Sequence, residues 1–98
     1  MQVQIFLKEE DSYEDQPLFE HILRHLMHNK IVGATMFKGY MGFGASHHLL
    51  EPRKFAASDP LPVMIVFVDE ETKVRDVLPH IRSVVSRGLI TMHTVEKV

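Results

Sequence analysis

"LPVMIVFVDEE", residues 61 to 71, decides the fold. It holds an unbroken apolar run, Val63 to Val68, followed at once by an acidic cluster. An apolar run of this length, bounded by turn signals, reads as a strand and is far too short to cross a bilayer. Both of its faces are apolar: Val63, Ile65 and Phe67 on one, Met64, Val66 and Val68 on the other. Such a strand belongs inside a sheet, with something covering each side. Asp69 stands where it can cap a following helix, and Glu70 and Glu71 lie near the positive end of that helix's dipole.

The elements on either side complete the pattern. After the acidic cluster, Val74, Val77, Leu78, Ile81, Val84 and Val85 recur at helical spacing. Pro79 falls opposite this stripe, so the carbonyl it leaves unbonded can face water, at the cost of a kink. Gly88 ends the helix, and "LITMHTV" (89–95) is the last strand. Upstream, "VQIFLK" (3–8) alternates Val3, Ile5 and Leu7 against Gln4, Phe6 and Lys8, a strand pattern. "EEDSYEDQ" (9–16) reads as a polar loop, and Pro17 suits a first helical turn. Leu18, Phe19, Ile22, Leu23, Leu26 and Met27 then form a helical stripe that runs to about Asn29. Gly33 marks the turn out, "ATMFKGY" (34–40) is the second strand, and residues 41–60 form a long irregular segment closed by "SDP".

The order β-α-β-β-α-β predicts an α+β, ferredoxin-like domain spanning 1–98, with a four-stranded antiparallel sheet and both helices on one face. The other face should then be polar in a monomer, yet it receives Met64, Val66 and Phe6, together with Met36 or Phe37. An apolar face of this size calls for a partner, and a second copy of the chain is the expected one. The competing reading has the 41–60 segment fold back over Met64 and Val66.

Composition narrows the function. The chain of 98 residues is 45% hydrophobic and 24% charged, with a net charge of −2, so no basic excess points to nucleic acid. It has no cysteine, which removes disulfides, thiol nucleophiles and thiolate metal sites. Its start, "MQVQIFLKEE", is a strand pattern and not a signal peptide, so a cytoplasmic location is expected.

Three of the five glycines, Gly39, Gly42 and Gly44, fall within six residues, followed by Ser46, His47 and His48. Glycine there permits positive φ and lets backbone N–H groups close on an anion. The spacing G-x-x-G-x-G is not a dinucleotide fingerprint, and no Gly-Lys-Ser/Thr follows to make a P-loop. From spacing alone, a bulge and turn at a strand end is the better reading. The neighbours raise the functional case: Arg53 and Lys54 can meet phosphate oxygens, and Phe43 either anchors the loop base or stacks on a ring.

On the stretches "GATMFKGYMGFGAS" (33–46), "DPLPVMIVFVDEE" (59–71), "RGLITMHTV" (87–95) and "PLFEHIL" (17–23), the chain resembles the PII-like family known as domain of unknown function 190. The pattern G-x-M-G-F-G-A-S at Gly39–Ser46 is its most specific element. Members of that family are similar to PII signal-transduction proteins. The resemblance implies a homotrimer, a small-molecule effector in the clefts between subunits, and a target protein, a membrane-embedded one included, met by a flexible loop at about 45–58. It implies no obligatory cofactor; the expected effector is an adenine nucleotide. Gly42, Phe43 and Gly44 would line the cleft with Thr35 nearby, while Ser46, Arg53 and Lys54 supply donors and charge. "ASHHLLEPRK" (45–54) departs from the basic, amide-rich run that PII proteins carry there.

The seven histidines are numerous for this length. His21, His25 and His28 share one side of the first helix, away from its apolar stripe, and are read as a solvated face. The i, i+4 spacing is also compatible with metal, which gives the runner-up: a metal-responsive trimer resembling copper-tolerance relatives of PII. His80 and His93 are assigned to a helix surface and a strand, His93 at a subunit contact. A small ferredoxin-fold enzyme is the third reading, but no nucleophile–base pattern is present. No residue is therefore assigned a catalytic or metal-ligating role.

Overall fold

The computed structural model describes residues 1–45, 47–51 and 60–98. In chain order the elements are β1 (Gln2–Lys8), β2 (Ser12–Tyr13), β3 (Gln16–Pro17), α1 (Leu18–His28), β4 (Ala34–Lys38), β5 (Pro62–Val68), α2 (Glu71–Val84) and β6 (Leu89–His93). The four longer strands form one antiparallel sheet in the order β4-β5-β1-β6, the ferredoxin-like arrangement the sequence predicts. The central pair is β5 and β1, the two strands with the most strictly alternating burial.

Register sorts the side chains. Val3 lies opposite Phe67, Ile5 opposite Ile65 and Leu7 opposite Val63, and all six are buried. Against them pack Leu18, Ile22 and Leu26 of α1 and Val74, Val77 and Ile81 of α2, also buried. These helical residues recur every three or four positions because only one stripe of each helix can reach the sheet. Met36 joins this side and Phe37 takes the other, which resolves the choice the sequence left open.

The opposite face carries Leu89, Phe6, Met64 and Phe37 in one row across all four strands. Phe6 is 38% exposed, Phe37 52% and Leu89 60%. The next row along the strands, Thr91, Gln4, Val66 and Thr35, is mostly polar, and Thr91 Oγ1 donates to Gln4 Oε1 at 3.2 Å. The apolar part of the open face is thus one band.

Several local expectations change. Residues 9–16 are not wholly a loop: Ser12–Tyr13 and Gln16–Pro17 pair as a two-residue hairpin. Glu14 and Asp15 both take positive φ, 46° and 63°, the twist such a turn requires, without the glycine or asparagine that would have signalled it. Pro17 precedes the helix rather than entering its first turn. Asp69 does not cap α2; Glu70 holds that position. The Asp69 carboxylate instead accepts the N–H of Val32 at 2.9 Å and that of Glu70 at 2.7 Å, and pairs with Lys73 at 3.0 Å. Helix α1 ends at His28, five residues before Gly33: Lys30 takes φ 61°, Lys30 N–H bonds the Met27 carbonyl, and Ile31 N–H bonds that of Leu26. That is a Schellman closure with lysine in glycine's usual place, and Ile31 is buried beside the core. Gly88 lies beyond the end of α2 and serves a close approach: a Cβ there would stand 2.5 Å from the Phe6 carbonyl oxygen.

Candidate functional site

The glycine turn sits where β4 leaves the sheet. Gly39 N–H donates to the Pro62 carbonyl at 2.7 Å, tying the outgoing strand end to the start of β5. A side chain on Gly39 would meet Pro62 Cγ at 2.9 Å, so glycine is required by contact. Gly42 and Leu50 exchange both backbone hydrogen bonds, at 2.9 and 2.7 Å, and Leu50 is buried. The excursion is therefore pinched shut at Gly42. Glu9 braces the same corner: its carboxylate accepts from Leu61 N–H at 3.2 Å and pairs with Lys38 at 2.8 Å.

Beyond the pinch, Phe43 and Gly44 project outward. Phe43 is 67% exposed and its ring stacks on His47, with centroids 5.9 Å apart and planes at 28°. His47 N–H donates to the Gly44 carbonyl at 2.9 Å. The N–H of Gly42 is engaged by Leu50, whereas those of Phe43 and Gly44 meet no acceptor among the described residues. No glycine takes positive φ; His47 does, at 55°. The conformational role expected of the glycines therefore falls to a histidine, and what Gly39 and Gly42 provide is proximity to Pro62. Tyr40, Met41 and Leu49 add further exposed apolar surface.

Thr35 is exposed on the open sheet face opposite Val66. Three strand residues, roughly 10 Å at ~3.3 Å each, separate it from the end of β4, so the turn and Thr35 do not form one cluster within a subunit. Ser46, Arg53, Lys54 and the 58–60 turn's first two residues lie outside the described residues. A groove of about 430 Å³ between α2 and β6, lined in part by Leu78, Ile90, Met92, Arg75 and Arg82, contains none of the sequence-predicted site residues.

Three of the histidines meet between the two helices. His21 and His25 are half-buried, and they face His80 of α2. His21 Nε2 and His80 Nε2 are 2.9 Å apart. The His25 and His80 ring centroids are 4.4 Å apart, and the Tyr13 ring lies tilted against His21 with centroids 4.1 Å apart. The solvated-face reading is therefore corrected for His21 and His25. Spacing along α1 shows which side they share but not that α2 crosses there, and the hairpin that brings Tyr13 has no glycine or asparagine in its turn to signal it. His28 remains exposed, and His93 is exposed on the open face opposite Gln2. Burial holds His21 and His25 below the ordinary histidine pKa, and the His80 charge pushes both further down. Glu14 pulls His21 back up, and the Val77 carbonyl does the same for His25. No group of three or more His, Asp or Glu able to hold a metal ion occurs among the described residues. Neither is any described helix long and apolar enough to cross a membrane.

Fold and loop together define a ferredoxin-like α+β domain with an apolar band across its open sheet face and a glycine turn closing a long β4–β5 excursion. The chain belongs to the DUF190 family, described as "Uncharacterized ACR", whose model matches residues 1–97. A UPF0166 protein of Aquifex aeolicus is 31% identical over 94 residues, covering 96% of this chain and 89% of that protein. A UPF0166 protein of Methanocaldococcus jannaschii is 37% identical over 89 residues, covering 90% of this chain and 82% of its own.

Proposed function

We propose that this protein is a PII-like regulator: a homotrimer that binds a small anionic effector, an adenine nucleotide by class, and contacts a target protein through the β4–β5 loop. The observation that carries the reading is the turn at Gly42–Gly44. Pinned to Leu50 on one side, it presents an exposed aromatic ring and two unengaged N–H groups together. An aromatic face suits a purine, and adjacent N–H groups suit an anion. In one subunit this turn is a surface, so a neighbouring subunit must supply the second wall. The apolar band Leu89–Phe6–Met64–Phe37 gives neighbours a reason to associate. Effector binding would order the loop and shift its affinity for the target, a population shift rather than catalysis.

The test is a thermal-shift series with AMP, ADP and ATP, with inorganic phosphate as a separate arm. Gly44→Val is the matched variant, because a Cβ at Gly44 meets nothing within 4 Å and the fold should tolerate it. A nucleotide at 100 times its Kd should raise stability by about 2.7 kcal/mol in the parent, and the variant should lose most of that shift. No nucleotide response in the parent, or an equal response in both proteins, would overturn the reading.

A further inference from the structure

We propose that His21, His25 and His80, with Tyr13, form a proton-sensitive latch that joins α1, α2 and the β2–β3 hairpin, closed when the imidazoles are neutral and opened as they charge. It is independent of any effector.

The argument begins with hydrogen positions. Gln16 Nε2 lies 3.4 Å from His21 Nδ1 and donates to it. His21 Nδ1 is then an acceptor, so its Nε2 carries the proton. That proton points at His80 Nε2, 2.9 Å away, which must accept. The neutral pair is thus one directed chain, Gln16 to His21 to His80. A single added proton can be shared along the Nε2–Nε2 line if His21 changes tautomer and the Gln16 amide turns its oxygen inward. A second cannot: both Nε2 atoms would then carry hydrogens and face each other at hydrogen-bond distance.

The surroundings oppose charge as well. His25 adds a third imidazole, its ring 4.4 Å from that of His80, and its buried Nε2 has no hydrogen-bond partner among the described residues. The groups acting on the cluster come from every packed element. The hairpin supplies Tyr13, Glu14 and Gln16; α1 supplies His28 and Asn29, whose Nδ2 lies 3.3 Å from His25 Nδ1; α2 supplies the Val77 carbonyl. Glu14 is the one carboxylate among them, against the four imidazoles of His21, His25, His28 and His80. Both His21 and His25 are held below their ordinary pKa, in agreement with the geometry. For a histidine with lowered folded-state pKa, the stability it contributes is complete above the unfolded value, near 6.5, and is lost as pH falls through the folded value. The latch therefore opens on the acid side of neutrality. What it frees is the hairpin, whose contact with the helices runs through Tyr13 and the adjoining chain.

Thermal unfolding from pH 7.5 to 5.0, in the presence of EDTA, tests this on the full chain beside His80→Gln, which keeps a hydrogen-bonding side chain but cannot charge. The parent's Tm should fall by roughly 5 °C or more across that range, and the variant's by at most half as much. In parallel, long-range 1H–15N spectra should place the His21 proton on Nε2 at pH 7.5, and Tyr13–His21 ring NOEs should disappear by pH 5.0. In His80→Gln the His21 titration should move upward, toward the ordinary value. Equal Tm losses in the two proteins overturn the proposal, as does a His21 titration unmoved by the substitution. If His80→Gln does not fold, His21→Gln takes its place with the Tm comparison and His25 as the reporter, read by the same criteria.

Discussion

The open sheet face yields the prediction with the most at stake. Replacing Phe6 by Gln and Phe37 by Thr installs residues of the kinds this face already carries, at Gln4 and Thr35, so strand pairing should survive. A phenylalanine presents roughly 200 Å². At 38% and 52% exposure, the two rings leave about 75 and about 105 Å² uncovered per subunit. At ~25 cal/mol per Å², full coverage by a neighbour stabilises assembly by about 4.5 kcal/mol per subunit, an upper bound because polar neighbours are desolvated too. Even half of that is more than a tenfold change in the association constant for each subunit. Sedimentation velocity across 1–100 µM protein (concentrations of about this range suit a stable assembly) should show the parent assembled and the double variant dissociating, with far-UV circular dichroism unchanged. A double variant that sediments like the parent would refute the reasoning, and so would a parent that is already a single subunit at micromolar concentration. Leu89→Thr, at the edge of the same band, checks that an effect comes from the face and not from local damage.

The remaining predictions concern single positions. Gly88→Ala puts a Cβ 2.5 Å from the Phe6 carbonyl oxygen and 2.6 Å from Val85 Cγ1, so urea unfolding should show a loss of about 1–3 kcal/mol or more. Gly33→Ala, with nothing within 4 Å and no positive φ, should be neutral or gain up to about 1 kcal/mol. Asp69→Asn sets an amide group against the N–H donors of Val32 and Glu70, and should cost about 1.5–3 kcal/mol. Those donors, the Val32 N–H first, hold the Asp69 carboxyl below the usual carboxylate range. Its stabilising share is therefore present above pH ~4 and lost as pH falls below it, a loss that acid titration of Asp69→Asn should not show. Phe67→Ala, at 1% exposure in the centre of the core, should cost about 3–5 kcal/mol by the same denaturant assay.

Hydrophobic period makes the architecture legible in the sequence. Period two in residues 3–8 and period three-to-four in both helices mark the buried Val3, Ile5, Leu7, Leu18, Ile22, Leu26, Val74, Val77, Ile81 and Val85, because burial selects apolar residues at those intervals; of the apolar run 63–68, Val63, Ile65 and Phe67 are buried and the alternate residues half-buried, and Met27 of the α1 stripe is exposed. The glycine turn was legible as a location but not as a mechanism: Gly39 and Gly42 matter for their approach to Pro62, and His47 takes the left-handed backbone expected of a glycine. The 12–17 hairpin was not legible, since Glu14 and Asp15 are unusual occupants of a turn with two positive φ angles.

The order of elements and the inward face of each follow from the chain alone, since each depends on side chains within a few positions of one another, whereas the strand register decides that the apolar residues of the sheet's second face line up as one band. The meeting of Tyr13, His21, His25 and His80 does not. It depends on the crossing of two helices whose contacting residues, His21 and His80, are 59 positions apart. A helical spacing specifies which residues share a side; only the packed arrangement decides what that side confronts, and with it whether an imidazole there meets water or another imidazole.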